Sequence, residues 1–128
     1  MNTYLEALEA AKIIGLSYET ETAHLNWNPH PKCRGVALKH LLTGEFTDGK
    51  LSCHLVHIQA GCEISEHIHA GQFELHEVLS GQGVGTLVEK NIPYLPGTTI
   101  IIPANKPHKV AAGKDDMYLL AKFTPALL

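Results

Sequence analysis

The sequence predicts an all-β domain, a sandwich or barrel of short strands preceded by a short helix. From about residue 36 onward, short apolar runs alternate at regular spacing with turns rich in Gly, Pro, Asn and Asp. This pattern is typical of all-β architectures. The chain has 128 residues, of which 45% are hydrophobic and 18% charged, so it can form one domain with a core of its own.

Residues 1–35 are interpreted as an N-terminal helix followed by an extended arm. The helix is predicted over residues 3–14, TYLEALEAAKII, with Thr3 as a candidate cap, Glu6 three residues later and Gly15 as a stop. Residues 16–35 lack a periodic pattern and contain NPHP, which disfavours helix. We therefore divide the chain into residues 1–35 and a barrel of residues 36–128.

Eight short strands are predicted within residues 36–128, each ended by a turn. In order, they are GVALKHLL, LSCHLVHI, EISEHIH, FELHEVLS, VGTLVE, TTIIIP, HKVAA and MYLLAKF. KNIP, between the fifth and sixth, is interpreted as a turn.

Composition narrows the possible functions. Arg34 is the only arginine and the net charge is −3, which argues against a nucleic-acid binder. No apolar run approaches the length of a membrane span, and the acidic N-terminus is unlike a signal peptide, so we expect a cytoplasmic protein without a membrane partner. Cys33, Cys53 and Cys62 are expected to be reduced thiols.

Metal-capable side chains concentrate between residues 61 and 81, which hold three histidines and four glutamates. His67 and His69 would point to the same face of a strand, where two imidazoles can converge on one metal ion. The chain then turns through AGQ and is expected to return as an antiparallel strand that places Glu74 opposite the histidine pair. His108, which follows Pro107 and begins the next predicted strand, is the best candidate for a further ligand.

The stretch from Gly61 to Gly81 resembles the first motif of the cupin superfamily, G-x5-H-x-H-x3–4-E-x6-G, at every fixed position. A later stretch resembles the second motif, G-x5-P-x-G-x2-H-x3-N, through Gly97, Pro103 and His108. The 15 residues between the two motifs are similar to the short spacing of small bacterial single-domain cupins.

Two positions depart from the second motif: Asn105 stands where glycine is usual, and Ala112 where asparagine is usual. Asn tolerates left-handed backbone angles, so we expect the turn to persist. The resemblance implies a double-stranded β-helix, or jelly-roll, barrel. It also implies a set of metal ligands, which are His67, His69, Glu74 and His108.

Three imidazoles and one carboxylate suit one divalent ion per chain of Fe, Mn, Ni, Cu or Zn, and do not select among them. Such a set leaves open coordination positions, as in functional metal sites. We expect a metal-dependent enzyme acting on a small molecule, preferably of the dioxygenase or oxidase type, with an isomerase or lyase next. The alternative is a non-catalytic sensor module that binds a small molecule or a metal.

His76 is a feature of this particular sequence, because cupins commonly place an aromatic or aliphatic residue there. It is our candidate catalytic residue, as a partner that orients a ligand, a general base or an alternative ligand. A hydrogen-bonded wall histidine is the structural alternative. On the preceding strand, alternation sends Cys53 and His57 to one face and His54 to the other, and either face can line the pocket. Weaker pocket candidates are Tyr94, Tyr118 and His40.

The apolar C-terminal residues TPALL are expected to pack on the barrel or on a partner. Together with the small N-terminal segment and the resemblance to small cupins, they lead us to expect a homodimer.

Overall fold

The structure is a computed structural model that describes residues 3–128. In that range it has one α-helix, α1 (Tyr4–Glu9), two 3-10 turns (Thr22–His24 and Gly44–Phe46) and twelve strands. Residues 1 and 2 of the predicted N-terminal segment lie outside the described residues. The strands are β1 Lys12–Ile14, β2 Glu19–Glu21, β3 Asn28–Pro29, β4 Val36–Leu42, β5 Ser52–Ile58, β6 Glu63–His67, β7 Phe73–Ser80, β8 Gly83–Leu87, β9 Lys90–Tyr94, β10 Thr99–Ile102, β11 His108–Ala112 and β12 Met117–Thr124. Within the described range, no helix combines the length and apolar character needed to span a membrane.

Two antiparallel sheets form the barrel. One has six strands in the order β10-β7-β12-β5-β4-β3, and the other has four in the order β6-β11-β8-β9. Their inner faces share one apolar core, to which the first sheet contributes Ile58 and Leu119 and the second contributes Val110 and Tyr94. The predicted all-β jelly-roll barrel with a short N-terminal helix is therefore confirmed.

The N-terminal helix is shorter than the predicted span of residues 3–14. Thr3 caps it as expected, because its side chain accepts a hydrogen bond from the Glu6 backbone N–H at 3.2 Å. The helix ends at Glu9 because the β-branched residues that follow pair as β1 with β2 in a small hairpin. Thr22 secures this hairpin, since its Oγ1 accepts from Ala11 N–H at 2.8 Å.

The N-terminal segment covers the outer face of the six-stranded sheet. Leu5, Leu8 and other apolar residues of this segment pack against a second buried cluster, formed by Leu41, Leu55 and Leu120. Because both faces of the central strands are buried, the sheet carries apolar side chains on both sides.

The prediction of a turn at KNIP is wrong, because these residues form most of strand β9. β9 pairs with β8 as a hairpin, and the reversal occurs at Val88, whose φ is 57°. Pro93 has no N–H to donate, and β9 lies at the edge of the four-stranded sheet, where proline is tolerated. The proline is therefore compatible with a strand that sequence reasoning assigned to a turn.

The C-terminal tail, residues 125–128, packs on the barrel of its own chain. Ala126 N–H donates to the Gly49 carbonyl at 3.0 Å, and Leu127 N–H donates to Ser52 Oγ at 2.8 Å. The Leu127 side chain packs against the main core. The tail was expected to pack either on the barrel or on a partner, and in the structure it packs on the barrel. It therefore no longer supports a homodimer.

Candidate metal centre

His67 and His108 are brought together by the four-stranded sheet. His67 is the last residue of β6, His108 is the first residue of β11, and the two are direct cross-strand partners. Their rings lie with centroids 4.2 Å apart. His69 lies beyond the end of β6 instead of on it, and its ring centroid is 4.7 Å from that of His67. The histidine pair is thus formed by a strand end and the loop that follows.

Glu74 approaches the histidines from the opposite sheet. The expected antiparallel pairing of its strand with the His67 strand is wrong, because β6 belongs to the four-stranded sheet and β7 to the six-stranded one. The connecting turn, with Gly71 at a φ of 72°, carries the chain from one sheet to the other. The carboxylate therefore reaches the cluster across the barrel interior.

The four expected ligand residues converge. His67, His69, Glu74 and His108 each offer one ligand atom, and these atoms lie within 4.8 Å of one another. Glu74 Oε1 is 3.0 Å from His108 Nε2 and 3.7 Å from His69 Nε2. Two ligands on opposite sides of one ion, each about 2.1 Å from it, are about 4.2 Å apart. The cluster therefore has nearly the dimensions of a coordination shell.

Backbone contacts fix the orientation of two of these imidazoles. His67 Nδ1–H donates to the Ser65 carbonyl at 2.7 Å, and His108 Nδ1–H donates to the Lys106 carbonyl at 2.9 Å. A carbonyl oxygen only accepts, so the hydrogen of a neutral ring lies on Nδ1 and the Nε2 lone pair is free for an ion. Such contacts are typical of metal-ligating histidines. The donor set therefore fits a transition metal.

The electrostatics favour the protonation states that a metal requires at three of the four side chains. Burial alone would raise the pKa of Glu74, but His76 and His108 outweigh it and hold that pKa well below its usual range. Burial lowers the pKa values of His67 and His69. Burial opposes the charge on His108, yet hydrogen bonds to Glu74 and the Lys106 carbonyl raise its pKa. At neutral pH, the site offers an anionic carboxylate and two neutral imidazoles.

His76 contacts Glu74 and not open space. Its side chain is buried, with Nε2 at 2.6 Å from Glu74 Oε2 and Nδ1 at 2.9 Å from the Tyr94 hydroxyl. These contacts support the interpretation of His76 as a residue that orients a ligand. Tyr94, a weaker pocket candidate in the sequence, lies in the core behind His76 and not on a pocket wall.

The other candidate histidines, His40, His54 and His57, divide between the two faces of the six-stranded sheet. His54 points into the barrel, where its Nδ1 is 2.8 Å from His40 Nδ1 and its Nε2 is 2.8 Å from Ser52 Oγ. His57 lies on the outer face, stacked on Tyr118 at a centroid distance of 4.5 Å. The candidates His57, Tyr118 and Cys53 are therefore separated from the metal centre by the sheet.

Sequence reasoning predicted a turn at Asn105 but not its contacts. Asn105 has a φ of 66°, as its place in the motif predicts. Its side-chain Oδ1 accepts from Gly71 N–H at 3.0 Å, and its own N–H donates to the His69 carbonyl at 3.1 Å. Asn105 thus ties the loop that carries His69 to the turn before His108. The contact between Phe123 and His69, with ring centroids 5.0 Å apart, was also not predicted. In the sequence, Phe123 looks like any other apolar residue on the inner face of a strand.

Comparisons with known proteins agree with this architecture. The family described as "Cupin domain" matches residues 54–122, more than half of the chain. A predicted oxalate decarboxylase from Thermotoga maritima is 24% identical, with a TM-score of 0.74 over 80% of this chain and 95% of that one. The polyketide cyclase RemF from Streptomyces resistomycificus is 14% identical, with a TM-score of 0.73 over 88% and 87%. KdgF from Halomonas sp. is 20% identical, with a TM-score of 0.68 over 78% and 86%. These likenesses show the fold, and comparison with curated proteins gave no match.

Proposed function

This chain belongs to the cupin domain family, and we propose that it is a metal-dependent enzyme acting on a small molecule. The proposed ligands of one divalent transition metal, Fe, Mn, Ni, Cu or Zn, are His67, His69, Glu74 and His108. The observation that carries this proposal is the convergence of these four side chains within 4.8 Å from both sheets of the barrel. Structural likeness to a predicted oxalate decarboxylase and to a polyketide cyclase supports small-molecule chemistry.

The burial of the four side chains supports approach of a substrate from one side. Glu74 and His108 are buried, whereas His67 and His69 are partly exposed. Phe123, a buried core residue, packs against His69 with the two rings nearly perpendicular. A bound metal would supply Lewis acidity and open coordination positions. The chain itself orients the imidazoles and keeps water from the Glu74 side.

The surroundings of His76 favour one reaction type. An isomerase or lyase needs a side chain that removes a proton from the substrate, and His76 is engaged on both nitrogens by Glu74 and Tyr94. A dioxygenase or oxidase, for which O2 is the second substrate, does not require such a base beside the metal. We therefore prefer the dioxygenase or oxidase type and place the isomerase or lyase type second.

Metal analysis tests the proposal first. The purified protein should contain about one transition-metal ion per chain, and Glu74→Ala should lose most of it because a ligand is removed. The matched control is His24→Ala, since His24 is an exposed histidine outside the cluster. Wild-type protein that contains no metal and takes up none from Fe, Mn, Ni, Cu or Zn solutions would refute the metal site.

Oxygen consumption then separates the enzyme from the sensor. The metal-loaded protein would be screened with catechols, flavonols and diketones in an oxygen electrode, with Glu74→Ala as the blank. Turnover that depends on Glu74 supports the dioxygenase or oxidase type. Ligand binding by calorimetry without turnover would instead favour the non-catalytic sensor module.

We also propose that the protein is a homodimer, on the resemblance to small cupins alone. Light scattering at micromolar concentration measures the mass directly. A mass of one chain would refute the dimer without affecting the metal site.

A further inference from the structure

The two oxygens of Glu74 have different surroundings. Oε1 faces the imidazoles, at 3.0 Å from His108 Nε2 and 3.7 Å from His69 Nε2. Oε2 faces His76 Nε2 at 2.6 Å, the shortest of the contacts to this carboxylate. Glu74 and His76 are two residues apart on β7, so their side chains share the inner face. One oxygen is thus directed to the candidate metal centre and the other away from it.

The direction of the His76 hydrogen bond follows from its partners. An ionised carboxylate only accepts, so His76 Nε2 carries the hydrogen whether the ring is neutral or charged. In the neutral ring, Nδ1 is then an acceptor and takes the hydrogen of the Tyr94 hydroxyl, which is 2.9 Å away. The hydrogen bonds therefore run in one direction, from Tyr94 to His76 to Glu74.

Tyr94 is held in place by the opposite sheet. It ends β9 and is 2% exposed, and its hydroxyl reaches across the core to His76 on β7. Gly85 on β8 makes room for the aromatic ring, because a Cβ at this position would overlap it. A rigid, buried phenol therefore fixes the ring orientation of His76.

We propose that His76 and Tyr94 are positioning residues that keep Oε2 in a hydrogen bond with His76, so that Glu74 binds the metal through Oε1 alone. This inference rests on the proposed metal site and adds the mode of carboxylate binding. A carboxylate that binds through one oxygen occupies one coordination position instead of two. The coordination position left free is available to substrate or water. Whether it stays free depends on His76 and Tyr94, which do not contact the ion.

Nitrogen-15 NMR of the histidine rings tests the inference on wild-type protein, with and without Zn(II). The Nε2 atom of His76 should keep its hydrogen in both states, while the Nε2 atom of His108 loses its hydrogen when zinc binds. Zinc binding accompanied by loss of the hydrogen on His76 Nε2 would make His76 a ligand and overturn the inference. Failure of zinc to bind at all would instead refute the proposed metal site.

Substitutions test the same point through affinity, measured by competition for Zn(II) with a chromophoric chelator. His76→Leu should weaken zinc binding by about 10–100-fold, the usual effect of removing a partner of a metal ligand. Tyr94→Phe keeps the ring and removes the hydroxyl, and should weaken binding by about 10-fold. His76→Gln retains an N–H donor near the Nε2 position and should restore affinity to within a few-fold of wild type. A purely structural role would not produce this rescue, and wild-type affinity in His76→Leu would overturn the inference.

Discussion

Acidification from pH 7 to pH 4 should destabilise the protein through His54. This side chain is 0% exposed and lies in a row of the six-stranded sheet with His40, Ala121 and His76. Burial, and then the proximity of His40, lowers the pKa of His54 from 6.5 to about 4. In the unfolded chain the same imidazole titrates near 6.5, so below that pH the unfolded state takes up a proton that the folded state excludes.

The size of the effect follows from the gap between the two pKa values. One pH unit corresponds to 1.36 kcal/mol, so a pKa of about 4 against 6.5 gives a loss of about 3 kcal/mol. The folded pKa is the lower one, so this stability is fully present above pH 6.5 and is lost as the pH falls to 4. Small domains are stable by about 5–15 kcal/mol, so the loss is a large share of the total.

Urea unfolding at pH 7, 6, 5 and 4, with a chelator present to remove metal, measures the effect. His54→Gln removes the titrating group and should lower the stability at pH 7, because the packing of the imidazole is lost. Between pH 7 and pH 4, the free energy of unfolding of this variant should fall by about 3 kcal/mol less than that of wild type. This difference isolates His54 from the other titrating groups. His24→Gln, at an exposed site, should lose the same amount as wild type. Parallel pH profiles for wild type and His54→Gln would refute the reasoning.

Three further changes test the packing around the site and the N-terminal segment. Gly85→Ala should cost about 1–3 kcal/mol in thermal unfolding, because the new Cβ overlaps the Tyr94 ring; unchanged stability would show that the ring can move. Thr22→Val should cost about 1–3 kcal/mol in urea unfolding, since the Ala11 N–H loses its buried acceptor, and a neutral result would contradict that contact. Burial raises the pKa of Cys53 to about 11, so a variant with Cys53 as its only cysteine should react with Ellman's reagent at pH 8 at least about 10-fold more slowly than when unfolded in urea. Equal rates would place this thiol in solvent.

The positions of the four ligand residues could be predicted from the sequence because their motif spacing is local. The assignment of strands to the two sheets could not be predicted in this way. His67 and Glu74 lie seven residues apart, and a hairpin is the simplest geometry for so short a connection. Pairing is decided instead by distant residues, since β6 pairs with β11 and β7 pairs with β12 and β10. Turn chemistry was more reliable, because Gly71 and Asn105 both adopt positive φ.

The burial of His54 illustrates a second limit. Alternation along β5 separates its residues into two sets, but the N-terminal segment covers the outer set, so both faces are buried. With polar residues in each set, the sequence alone cannot distinguish the face that lines the barrel. The contacts of Ser52 and Tyr94 were also missed. Ser52 Oγ contacts His54 Nε2 two residues further along β5, and the Tyr94 hydroxyl contacts His76 on a different strand.

The path of the C-terminal tail bears on how the protein should be produced for metal analysis. The Ala126 carbonyl accepts from Gln72 Nε2 at 2.8 Å, and Gln72 lies three residues after His69. A polyhistidine tag added after Leu128 would start two residues beyond this contact, so its imidazoles could reach the ligand loop, compete for the ion and alter the measured stoichiometry. A tag placed before α1 would start at the outer face of the six-stranded sheet, on the side away from the four ligands.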